Sequence, residues 1–117
     1  MISGPLVSVH HVDDYSGGIQ VKELDLEQAG ERVTPFKASI ITVPPGISTP
    51  VDQHDVRECW VVIAGQGELM TDGVASPLEP GAVTYFASRC SHQVRNTGGD
   101  ELKLFSAWWT PGHQASQ

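Results

Sequence analysis

From Phe36 onward, apolar and polar positions alternate with a period of two, the signature of half-buried β-strands. "FKASIITV" (36–43) predicts a strand stopped by "PPG" (44–46), where Pro and Gly punctuate. "RECWVVIAG" (57–65) predicts the next, and "GQGELMTDG" (65–73) another that ends in the hairpin signal Asp72-Gly73. "VASPLEPG" (74–81) is short and turn-ended, "AVTYFA" (82–87) follows, "HQVRNTGGD" (92–100) runs into a Gly-Gly turn, and "ELKLFSAWW" (101–109) is the last. The first thirty-five residues are less ordered in pattern. "LVSVHHV" (6–12) and "IQVKELDL" (19–26) read as strands, "DDYSGG" (13–18) as a turn and "EQAGERVTP" (27–35) as a loop. No amphipathic helix stands out, and turn signals recur every 8–12 residues, so the expected class is all-β, a sandwich or barrel.

Composition agrees. At 117 residues the chain is expected to form one domain spanning 1–117, with strands of segment 1–35 packing on the rest. Hydrophobic residues make up 39% and charged residues 18%, an ordinary globular balance, while twelve Gly and eight Pro fit many turns. A formal charge of −7 argues against a nucleic-acid or anionic-membrane partner. No stretch nears the about 20 apolar residues of a membrane span, and "MISGPLVSVHH" lacks the basic-then-apolar order of a signal peptide. The cysteines, Cys59 and Cys90, fit a reducing compartment, so a cytoplasmic location is expected.

The chemistry concentrates in "VDQHDVRECWVVIAGQG" (51–67), where Asp52, His54 and Glu58 stand just ahead of an apolar run. Asp52 and His54 share parity, so an extended chain projects them together. Glu58 shares parity with Trp60, Val62 and Ala64, and an ionised carboxylate on that apolar face is costly unless paired or ligated. His92 opens a later strand that can return beside it. Two imidazoles with one or two carboxylates make an N/O donor set suited to a divalent ion, Fe(II), Zn, Ni or Mn.

These residues also carry a resemblance. Gly46, Asp52, His54, Glu58 and Gly65 fall at the spacing G-x5-H-x-H-x3-E-x6-G, with Asp52 in place of the first histidine. Gly81, Ala87, Arg89, His92 and Asn96 fall at G-x5-P-x-G-x2-H-x3-N, with Ala87 for the proline and Arg89 for the glycine. The chain thus resembles the cupin superfamily, with motifs over 46–96 and the matching strand pattern from about 36 to 109. The resemblance implies a single double-stranded β-helix, a jelly-roll-like barrel, holding a metal through His54, Glu58 and His92. Asp52 then serves as a fourth ligand, as a residue orienting a ligand, or as a base, which makes Asp52 and Glu58 the candidate catalytic carboxylates.

Arg89, at a glycine position near the implied site, is a candidate clamp for a substrate carboxylate or phosphate, or else a solvated loop arginine. Trp60 either walls the pocket or packs in the core, and either Tyr85 or Phe86 should face the cavity. Asn96 reads as a turn or hydrogen-bonding residue, and His10, His11 and His113 as solvated. One of Trp108 and Trp109 must face outward, which suggests a partner surface, with a homodimer expected, or cover by the N-terminal segment. Three functions follow as expectations: a metal-dependent enzyme of small-molecule metabolism (isomerase, cyclase or lyase by Lewis-acid and proton-transfer chemistry, or an Fe(II) dioxygenase), a non-catalytic small-ligand binder, and a structural domain.

Overall fold

A computed structural model describes residues 2–111. Thirteen strands account for most of them: β1 (Ile2–Ser3), β2 (Leu6–Val7), β3 (Val9–Tyr15), β4 (Ile19–Leu24), β5 (Glu27–Gln28), β6 (Glu31–Arg32), β7 (Lys37–Val43), β8 (Arg57–Ala64), β9 (Gly67–Thr71), β10 (Val74–Leu78), β11 (Val83–Phe86), β12 (His92–Asn96) and β13 (Leu102–Trp109). The helical content of the described residues is one 3-10 turn, Ser16–Gly18. The all-β expectation holds. Segment 27–35, expected as a loop, contains the short β5–β6 ladder, its turn made by Ala29 and Gly30 with positive φ. His113 lies outside the described residues.

Six strands form one antiparallel sheet in the order β11-β8-β13-β7-β4-β3, and three form a second in the order β10-β9-β12. Period-two alternation gives each sheet an apolar face, and the two faces close on one core. Val43, Trp60, Val62, Phe86, Leu102 and Leu104 of the large sheet meet Leu69, Leu78 and Val94 of the small one. The segment before β8 widens the small sheet. Thr49 N donates to Val94 O (2.8 Å), and Asp52 and His92 exchange both backbone bonds at 2.9 Å.

Gly65 shows why the first motif ends in glycine. Its φ is +88°, and a Cβ there would stand 2.5 Å from the Glu101 carbonyl oxygen and 2.7 Å from Leu102 Cα. Only a residue without a side chain lets β8 turn into β9 this close to β13.

The N-terminal β3–β4 hairpin continues the large sheet through β4 and β7. The β3–β4 register slips between His11 and Asp13, leaving Val12 as an extra, bulged residue. The slip brings Val12 and Tyr15 to the rim of the cavity between the sheets.

A candidate metal centre in the barrel

Three structural devices deliver the site residues to one place. Asp52 sits directly opposite His92 in a hydrogen-bonded antiparallel pair, and opposed residues project to the same face. Glu58 lies on the inward face of β8, in register with Phe86 on one side and Trp108 on the other. His54 is held by its backbone, whose carbonyl accepts from Arg89 N at 2.6 Å.

The ligand atoms of Asp52, His54 and His92 all lie within 4.8 Å of one another. His54 Nε2 is 3.8 Å from Asp52 Oδ2 and 3.2 Å from Glu58 Oε1, and His92 Nε2 is 3.5 Å from the same Glu58 oxygen. Donors bonded at about 2.1 Å to a tetrahedral ion stand roughly 3.4 Å apart, so these separations suit a first-row divalent ion. The four residues are graded in depth: the His92 and Glu58 side chains are 4% and 10% exposed, whereas Asp52, at 64%, stands at the rim.

Each deep ligand is oriented from behind. His92 Nδ1 lies 3.1 Å from the Cys90 carbonyl, which can only accept, so Nδ1 carries the proton and Nε2 points its lone pair at the site. Glu58 Oε2 accepts from Trp60 Nε1 (2.6 Å) and Ser106 Oγ (2.5 Å), leaving Oε1 for the histidines. A neutral His92 with its proton on Nδ1 turns its Nε2 lone pair toward a carboxylate oxygen. A cation resolves that contact. His54 Nδ1 is buried without a hydrogen-bond partner among the described residues, so its neighbours do not fix its tautomer. Phe86 stacks on the His92 ring at 4.4 Å and 16°, and Trp60 meets it edge-on at 5.4 Å, holding the imidazole in place.

These residues open into a cavity of about 570 Å³. Trp60 is both a core residue and a wall of it. Tyr85 is not brought there: register with Cys59 turns it to the outer face, where it is 57% exposed, and its neighbour Phe86 takes the inward place. Arg89 is not brought there either. It adopts φ +65°, the left-handed conformation that the motif's glycine would take freely, and its guanidinium pairs with Asp55 at 2.9 Å in solvent. Asn96 works as a turn residue, its Nδ2 donating to Val43 O and Asp100 O, both at 2.8 Å. His10 and His11 are exposed, Cys59 and Cys90 are free thiols, Trp108 lines the cavity, and Trp109 has the opposite parity.

Among the lining residues that sequence reasoning missed are Ser106, Ser39 and Glu23. Ser106 and Glu23 each carried a signal, a polar residue on the apolar parity of its strand: Ser106 with Leu102 and Leu104, and Glu23 with Ile19 and Val21.

The Cupin_2 family model, described as a cupin domain, matches residues 39–108. The chain belongs to the cupin family. Among solved structures, a cupin 2 conserved barrel domain protein from Salinispora arenicola superposes with a TM-score of 0.70 at 28% identity, covering 80% of this chain and 77% of that one. The chain is also similar to the oxalate-binding protein of Thermotoga maritima, 29% identical over 65 residues, 55% of this chain and 54% of the relative. Auxin-binding protein 1 of Arabidopsis thaliana is 31% identical over 72 residues, 54% of this chain and 36% of the relative. The matches therefore span about half or less of these two relatives. Among the described residues no helix is long and apolar enough to cross a membrane.

Proposed function

We propose that this cupin binds one divalent metal through His54, Glu58, His92 and Asp52 and acts on an organic small molecule in the adjoining cavity. The observation that supports this most directly is the convergence of His92 Nε2 on Glu58 Oε1 at 3.5 Å beside His54 and Asp52. The bound metal supplies Lewis acidity toward substrate oxygen atoms, or redox chemistry if it is iron. Glu58, gripped at Oε2 by two donors, is a fixed ligand whose direction does not change during a reaction. Asp52 is the solvent-facing carboxylate at the rim and the one we assign to moving a proton on a bound substrate. Trp60 and Trp108 add apolar surface to the lining of the site. This is the arrangement of an isomerase, cyclase or lyase, and with iron of a dioxygenase.

A second reading, a binding cupin without turnover, is favoured by the names of two relatives, an oxalate-binding and an auxin-binding protein. Metal content by mass spectrometry on untagged protein, with His54→Ala and Asp52→Ala, tests the metal reading. Near-stoichiometric metal, lost with His54 and weakened with Asp52, is expected. Protein that stays metal-free after incubation with Fe(II), Zn, Ni and Mn refutes it. The outer face of the large sheet leaves Val83, Tyr85 and Ile63 exposed, and we read that face as the site of a homodimer, checked by sedimentation velocity. The free thiols are the reason to place the protein in a reducing, cytoplasmic setting.

A further inference from the structure

The cavity continues well beyond the metal-binding residues, and its chemistry is lopsided. Its charged lining residues are Asp52, Glu58 and Glu23; the described lining contains no lysine or arginine. Arg89, which would have offered a guanidinium, is engaged with Asp55 outside. A divalent ion with two carboxylates and two neutral imidazoles is near neutral overall, so little positive charge is left to attract an anion.

Glu23 sits at the other end. It is half-buried on β4, in register with Ser39 of β7, which is in turn in register with Ser106 of β13. The row Glu23, Ser39, Ser106 is therefore a polar track along the floor, ending where Ser106 donates to Glu58. At about 4.8 Å between strands, Glu23 stands roughly 10 Å from the Ser106 column. The walls along this track are apolar, among them Tyr15, Ile19, Ile41, Leu104 and Trp108. The Glu23 backbone pairs with β3 and β7, and among the described residues its carboxylate forms no ion pair. Arg32, Lys37 and His10 border it in an adjoining cavity of about 50 Å³, without forming an ion pair with it.

We infer that the cavity selects an amine: a molecule with an apolar body, oxygen donors at the Asp52–His54–His92 end and an ammonium group on Glu23, which stands roughly 10 Å from the Ser106 column behind Glu58. This deepens the metal-dependent reading above and rests on it for the oxygen end alone. A carboxylate in the ammonium position meets the Glu23 charge, and Arg32 and Lys37 line the adjoining cavity rather than this one, so the acid is disfavoured. The substrate class is thus aryl- or alkylamines that carry oxygen donors, in contrast to the dicarboxylate named for the oxalate-binding relative.

Three catechols of similar length and different charge test this: dopamine, 4-ethylcatechol and 3,4-dihydroxyphenylpropanoate. Calorimetric titration would be done anaerobically on zinc-loaded and zinc-free protein. Dopamine is expected to bind the zinc-loaded protein at least about tenfold more tightly than the propanoate, with 4-ethylcatechol between them. Glu23→Gln should bring dopamine to the affinity of 4-ethylcatechol and leave 4-ethylcatechol within about twofold of its original value. Equal affinity for amine and acid overturns the inference, as does no binding of any of the three. An amine preference that survives Glu23→Gln also overturns it, because the metal-site carboxylates would then be its source. Protein that takes up no zinc, yet shows a Glu23-dependent preference for dopamine, sinks the metal reading and leaves the amine assignment standing.

Discussion

Ser106→Ala probes how the centre is held together without touching any residue assigned as a ligand. Ser106 is 1% exposed, and its Oγ is one of two donors to Glu58 Oε2. A hydrogen bond to a charged group contributes about 1.5–3 kcal/mol net, and at this depth water does not readily replace the missing hydroxyl. The metal-free protein should lose about 2 kcal/mol of unfolding free energy, or roughly 8 °C in Tm for a chain of this size. Two effects oppose each other in metal binding. Removing a donor makes Glu58 more basic, which favours ligation; it also frees Oε1 to rotate away from His54 and His92. Loss of orientation dominates for such supporting residues, typically costing about 10–100-fold in affinity. Urea unfolding of the metal-free variant and a chelator-buffered zinc titration read the two quantities separately. Unchanged unfolding together with zinc affinity within about twofold of the parent would falsify the placement of Ser106 on Glu58.

Asn96→Ala should cost about 2–4 kcal/mol in urea unfolding while leaving zinc affinity alone, since its side chain makes three hydrogen bonds to Val43 O, Asp100 O and Gly98 N and faces no ligand; lost zinc with intact stability would reassign it to the site. Burial, then the hydrogen bond and charge of Asp72, push the Cys90 thiol above its ordinary value. Iodoacetamide should therefore label Cys90 more slowly than an unperturbed thiol at neutral pH, with the rate rising only as pH passes the raised value. Asp72→Asn should speed that labelling, as followed by peptide mapping, and equal rates would count against the contact.

Much of the site was legible because strand parity and motif spacing are local. Glu58 had to share a face with Trp60 and Val62 wherever β8 packed, and His54 and His92 stood at the spacings of the resemblance. Parity is only relative, however. It required one of Tyr85 and Phe86 to face inward; the pairing of Phe86 with Glu58 and Tyr85 with Cys59 decided which. Arg89 looked like a clamp by its nearness to His92 in sequence, yet its turn conformation aims the guanidinium at Asp55.

The chain by itself determined the strand pattern, the all-β class, the close-packed glycine at 65 and the donor types of the centre, since each depends on residues near one another in sequence. The tertiary structure decided what no local pattern contains. It set Asp52 against His92, brought Ser106 behind Glu58 from 48 residues away, and let the bulge at Val12 bring the N-terminal hairpin to the cavity rim, with Glu23 lining the same cavity as the candidate metal ligands. These contacts follow from register between strands distant in sequence, and register is set only when both faces of the sheets find their core.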